Sequence, residues 1–193
     1  LGAGAIGTRA TTQAATTPGR AARRGNPIGV STYSFWQFRG RPLGMIECFD
    51  QAAAMGFDGV ELLQRQMSPE DQTPRGLAIL KREAHARGLA LMGFSTHQGF
   101  VFADPAKRAE QVALTISQVE MAHRLGIPTM RINTGRWNTI GSFDELMANK
   151  GIEPPLSGVS EDQAFGWVIA ALEEILPRAE ELGVVLGLEN HWG

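Results

Sequence analysis

The sequence predicts an α/β chain of about five parallel strands and four main helices, the opening part of a (β/α)8 TIM barrel with its C-terminal strands missing. Three observations carry this. A helical pattern ends in Gly and runs straight into a short apolar segment four times, at AMGFDGVELL, ARGLALMGFS, RLGIPTMRIN and ELGVVLGLEN. Helical crossovers between successive strands impose parallel pairing. None of the predicted strands leads into a G-x-G-x-x-G turn, so a dinucleotide-binding open sheet has no support. A complete barrel takes about 250 residues. At roughly 35 residues per repeating unit, the 193 residues here hold five strands and four helices.

Residues 1–25, LGAGAIGTRATTQAATTPGRAARRG, are dominated by Gly, Thr and small side chains and show no helical or strand period. They read either as a disordered linker or as the remnant of an export signal, an apolar stretch followed by small residues with the charged start absent. The first reading leaves the protein cytoplasmic, the second makes it periplasmic or exported. The barrel domain is assigned to 26–193.

Strands are expected at about 27–34, 58–63, 89–96, 128–133 and 184–190. The first two helices are expected at about 42–55 and 74–87. The third opens on Asp104-Pro105, a capping residue followed by Pro at the first helical position, and repeats Val112, Ile116 and Val119 along one face. The fourth carries Phe165, Val168, Ile169, Leu172, Ile175, Leu176, Ala179 and Leu182 as one apolar face, with Pro177 expected to kink it or to mark its last turns. Gly56, Gly88, Gly126 and Gly183 end the four helices in the left-handed conformation that closes a helix at little cost. The last interval is the longest because residues 134–160 are inserted after the fourth strand, at the strand ends where α/β folds hold ligands.

Alternation along each strand then sorts the side chains. In GVELL, Val60 and Leu62 face the helices and Glu61 turns into the lumen. In TMRIN, Met130 and Ile132 face out, which leaves Arg131 and Asn133 inside. Met92 and Phe94 face out on the third strand, giving His97 the inward parity. Leu186 and Leu188 face out on the fifth, so Glu189 and His191 point inward at the C-terminal mouth. His85 and His123 fall on helices and read as surface or packing residues. A carboxylate aimed into an apolar lumen is costly unless a cation or donor meets it. For Glu61 that partner is either a bound metal or Arg131. Glu61, Glu189, His97 and His191 together match a metal or sugar site. Tyr33, Phe35, Trp36 and Phe100 follow strands, where rings stack on a sugar face or plug the barrel mouth. Arg136 stands in the long loop, to meet an anion or to be solvated. Cys48 lies on the inward stripe of the first helix and reads as buried and inert.

Composition narrows the function classes. With 18 Lys+Arg against 20 Asp+Glu there is no basic excess, which argues against a nucleic-acid partner. One cysteine excludes an intrachain disulfide framework and a multi-Cys zinc site. No apolar run approaches the roughly 18 residues of a membrane span, so no membrane partner is expected.

GFDGVELL, the strand-end His of FSTHQGF and above all LGLENHWG resemble the xylose isomerase-like barrel superfamily, which includes sugar phosphate isomerases/epimerases and endonuclease IV-like proteins. The resemblance runs from about Asn26 to Gly193. It implies a metal-dependent isomerase or epimerase of a sugar or sugar phosphate, working through a metal-bound enediolate or a hydride shift. It implies that Glu189 holds a divalent metal, Mn²⁺, Mg²⁺ or Co²⁺ before Zn²⁺, and acts in catalysis. The other ligands usually come from strands six to eight, so the chain as a fragment is expected to be inactive. Glu61, His97 and His191, with Arg131, Asn133, Tyr33 and Trp36, are then expected to bind a small sugar or polyol substrate. A dehydratase, an endonuclease IV-like phosphodiesterase and a non-catalytic carbohydrate-binding barrel are the alternatives on the same scaffold. A homo-oligomer is compatible with all of them.

Overall fold

The computed structural model describes residues 25–36 and 41–189. Apart from Gly25, the expected N-terminal linker or leader lies outside the described residues, as does His191. Five strands are present: β1 Gly29–Ser31, β2 Gly59–Leu63, β3 Ala90–Ser95, β4 Thr129–Asn133 and β5 Val185–Glu189. They form one parallel sheet in the order β1-β2-β3-β4-β5. The main helices are α1 Met45–Ala54, α2 Pro74–Ala86, α3 Pro105–Leu125 and α5 Glu161–Glu181, with a short α4, Phe143–Ala148, inside the segment expected to be an open loop. The chain is therefore a partial barrel of five parallel strands and four main helices.

The boundaries follow local chemistry. Thr73 caps α2 by accepting the Gly76 amide at 3.0 Å, and Asp104 caps α3 by accepting that of Ala106 at 2.9 Å. Ser160 and Gln163 cap α5 reciprocally, each side chain accepting the other's amide. All four predicted stop glycines have left-handed φ, between 67° and 81°. Pro177 lies in the closing turns of α5, which ends at Glu181. β1 is shorter than expected because residues 32–35 turn into a 3-10 helix, and Thr32 Oγ1 takes the Leu63 amide in place of a ladder carbonyl.

The core lies between the outer face of the sheet and the helices. Val60, Leu62, Phe94, Met130 and Ile132 pack there with Phe49, Leu80, Val119 and Ile175, all essentially inaccessible. Cys48 is fully buried as expected, and burial pushes its thiol up to about 11. The α5 face divides: Val168, Ile175 and Ala179 are buried, whereas Phe165, Ile169 and Leu176 stay at least half exposed.

One parity expectation fails. β3 carries a bulge: Val60 pairs with Leu91 and Glu61 with Gly93, so Met92 is the extra residue. A bulge puts two successive side chains on one face, and Met92 turns into the lumen rather than out to the helices. The facing positions are glycines. A Cβ on Gly29 would lie 2.6 Å from the Met92 sulfur, and one on Gly59 2.7 Å from it. Below the bulge Leu91 packs toward the helices; above it alternation resumes, with Phe94 buried and His97 at the mouth.

Candidate active site

A cleft of about 750 Å³ opens at the C-terminal ends of the strands. Each strand places one or two polar side chains in its wall because the inward positions alternate with the apolar ones packed on the helices. Glu61 comes from β2, His97 from just past β3, Arg131 and Asn133 from β4 and Glu189 from β5, with Tyr33 at the rim. The structure thus brings together six of the eight expected site residues. Trp36 does not line the cleft; its ring tilts against Tyr33 with centroids 6.3 Å apart.

Arg131 is the centre of the polar contacts. Its Nη1 pairs with Glu189 Oε2, and its Nη2 donates to the Thr96 carbonyl at 3.1 Å. The same Nη2 lies 3.4 Å from His97 Nδ1 and 3.3 Å from Nε2, so it caps the imidazole rather than addressing one nitrogen. The alternative of a Glu61–Arg131 salt bridge is not what forms. Arg131 sits on β4, next to β5, while Glu61 is two strands away on β2, and adjacent strands are only about 4.8 Å apart. Glu61 makes no hydrogen bond or ion pair among the described residues; its stem lies over Gly93, whose missing Cβ leaves the room. Asn133 is nine-tenths buried, and among the described residues its Oδ1 and Arg131 Nε have no hydrogen-bond partner.

Three contributors were not evident in the sequence. Gln98, 5% exposed, lines the cleft beside His97. Glu153 has a fully buried carboxylate that takes Arg136 Nη2 at 2.5 Å and the Asn138 amide at 2.8 Å. Burial opposes ionisation of Glu153, but the Arg136 guanidinium and the two backbone amides it accepts outweigh that and hold it below the usual carboxylate range. Arg136, half-buried, therefore meets a carboxylate of this chain and ties the inserted segment together. Phe143, from α4, completes the rim. A Gln is not a chemistry-bearing signal by itself, and a loop Glu is ordinarily solvent-facing, so neither stood out.

Hard carboxylate oxygens and an imidazole are a suitable donor set for a divalent cation. One Glu189 oxygen is occupied by Arg131 and the other has no partner among the described residues. Among those residues no three His, Cys, Asp or Glu side chains converge as a metal cage, so they fit a partial coordination sphere.

The family description "xylose isomerase-like TIM barrel" matches residues 49–193. Several solved structures share the fold. A D-psicose 3-epimerase crystallised with D-fructose is 19% identical, with a TM-score of 0.63 over 86% of this chain and 55% of that one. A D-psicose 3-epimerase from Clostridium cellulolyticum H10, with D-tagatose, is 15% identical, with a TM-score of 0.62 over 84% and 52%. A 3-keto-D-glucoside 4-epimerase from E. coli is 18% identical, with a TM-score of 0.61 over 86% and 57%. No curated protein matches the chain. The chain spans about half the length of these neighbours, and at such identities the likeness is one of fold. From the match over residues 49–193, the chain belongs to the xylose isomerase-like TIM-barrel family.

Proposed function

We propose that the protein is a metal-dependent isomerase or epimerase of a small sugar or polyol, and that this chain supplies one wall of its active site. The observation carrying the reading is the convergence of Glu61, His97, Arg131, Asn133 and Glu189 on one cleft at the strand C-termini. Structural neighbours that act on sugars, D-psicose 3-epimerases and a 3-keto-D-glucoside 4-epimerase, support it at the level of the class.

On this reading Glu189 gives one oxygen to a divalent cation, Mn²⁺, Mg²⁺ or Co²⁺ in preference to Zn²⁺. The remaining ligands lie outside the described residues. A cation held by Glu189 would supply Lewis acidity toward a carbonyl and its neighbouring hydroxyl, which would lower the cost of removing the proton between them. The protein's own residues do the rest. Arg131 pairs with one Glu189 oxygen and fixes the direction in which the carboxylate faces the cleft. Asn133 and His97 reach substrate hydroxyls, and His191 is assigned to the same wall. Glu61, without a partner among the described residues, takes a substrate hydroxyl as its donor. Tyr33 offers its ring at the rim, and Trp36 backs Tyr33.

The test is calorimetry on the full-length protein. Glu189→Gln is expected to abolish divalent-cation binding and sugar turnover while leaving the fold intact. Unchanged cation affinity in Glu189→Gln overturns the assignment. The 193-residue chain on its own is expected to turn over no sugar, because half a barrel supplies half a site.

A further inference from the structure

The register of β2 against β3 changes at Glu61. Gly59 pairs with Ala90 and Val60 with Leu91, so an unbroken ladder would set Met92 beside Glu61. Instead Glu61 pairs with Gly93, Leu62 with Phe94 and Leu63 with Ser95. Paired residues of neighbouring strands present their side chains on the same face of the sheet. The bulge therefore takes a thioether side chain away from the flank of Glu61 and leaves no side chain there at all. Met92 goes one layer down, against Gly29 and Gly59.

The space so cleared is used by Glu61. A Cβ on Gly93 would lie 3.2 Å from Glu61 Cγ, 3.5 Å from its Cβ and 3.6 Å from Oε1. Gly93 is not among the glycines with left-handed φ, so its backbone does not call for glycine and the missing side chain is what matters. The bulge is also held in place. Thr129 Oγ1, on β4, donates to the Met92 carbonyl at 3.0 Å, which gives a partner to the residue that a bulge leaves out of the ladder. Glu61 is half-buried in the wall of the cleft, and neither carboxylate oxygen has a partner among the described residues. A carboxylate accepts at both oxygens, which suits two adjacent O–H donors.

We propose that the β3 bulge is part of the substrate site. By setting Gly93 in place of Met92 beside Glu61, it lays that side chain along the wall with its carboxylate open to the cleft, where the two oxygens take two neighbouring hydroxyls of a polyol. This rests on the sugar reading of the site and narrows what Glu61 recognises to a vicinal diol. Glu61 is a substrate-binding residue and Gly93 a positioning residue.

The experiment is binding calorimetry on the full-length, metal-loaded protein with D-fructose, D-psicose and D-tagatose as probes. Glu61→Ala should weaken binding of the sugar that the wild type takes by about ten- to hundredfold, the loss of hydrogen bonds to a charged group. Glu61→Gln, which keeps one acceptor oxygen, should fall between. Gly93→Ala should weaken sugar binding in the wild-type background and have no further effect in Glu61→Ala, a non-additivity that a merely structural glycine would not give. Divalent-cation affinity should be unchanged in Glu61→Ala and in Gly93→Ala. If Gly93→Ala alone does not fold, recovery of its denaturation midpoint in the Glu61→Ala background shows the same dependence. Failure to fold in both backgrounds overturns the placement. Wild-type sugar affinity in Glu61→Ala or Glu61→Gln overturns the inference, and so does an equal effect of Gly93→Ala in both backgrounds. Loss of cation affinity in Glu61→Ala overturns it too, because Glu61 would then hold the ion rather than the diol. Binding of none of the three sugars by the wild type overturns the sugar reading itself, and this inference with it.

Discussion

At the scale of single residues, buried charge is where the site is most vulnerable. Glu153 has no exposed side-chain surface and takes Arg136 together with the amides of Asn138 and Ile140. Glu153→Ala leaves a half-buried guanidinium and two amides unpaired. The expected cost is about 2–4 kcal/mol, read as a fall in denaturation midpoint, with Glu153→Gln milder. The pair also carries a pH signature. The folded carboxyl titrates below its ordinary value of 4.5. Its contribution is therefore complete above that value and is lost as pH falls below it through the depressed folded pKa. Acid titration should loosen residues 136–153 first, seen as early amide exchange there, and Glu153→Gln should remove that acid-sensitive step. The sequence offered the lumen residues by alternation alone, since Glu61, Arg131 and Glu189 sit on strands whose pattern is unbroken there. It could not offer Glu153 or Gln98, whose roles come from contacts made across the loops rather than from any period.

At the scale of elements, the four stop glycines and the strands after them were legible because a helix cap and an apolar run are both local signals. The bulge in β3 was not, because one extra residue leaves the composition of LALMGFS unchanged and alters only which side Met92 takes. Its physical trace is a pair of glycines opposite the thioether. A Cβ on Gly29 meets chiefly the flexible Met92 sulfur, whereas one on Gly59 also meets the Ala90 carbonyl oxygen at 2.5 Å. Gly59→Ala is therefore expected to cost about 1–3 kcal/mol through overpacking, and Met92→Ala will not relieve it. Gly29→Ala should cost less, and Met92→Ala should remove its steric part, giving a positive coupling in a double-mutant cycle. Absence of coupling between Gly29→Ala and Met92→Ala would show that Met92 is not what Gly29 accommodates. The short α4 went unread for a related reason: six residues hold too little of a helical period to stand out from a loop.

At the scale of the whole molecule, parallel order and a C-terminal cleft follow from the βα repeat, and among the described residues the sheet has β1 and β5 as its edges. The consequence is concentrated on one side. Val185 and Leu188 on β5 are 64% and 55% exposed, and Phe165 and Ile169 on α5 are 64% and 55% exposed. In β5 Leu186 packs against the core while Val185 and Leu188 are wet, and the outer edge of the strand has no neighbouring strand among the described residues. A flat parallel edge next to large apolar side chains is the combination that recruits other chains. The 193-residue chain by itself is expected to self-associate at micromolar concentration, with sedimentation velocity showing species larger than a monomer. Leu188→Lys with Ile169→Glu should shift the distribution toward monomer, because a charge on the strand opposes edge pairing and a charge on the helix breaks the apolar stripe. A strictly monomeric wild-type chain would mean that this side is covered by residues outside 25–189, and protection of the β5 amides from exchange would then locate the cover.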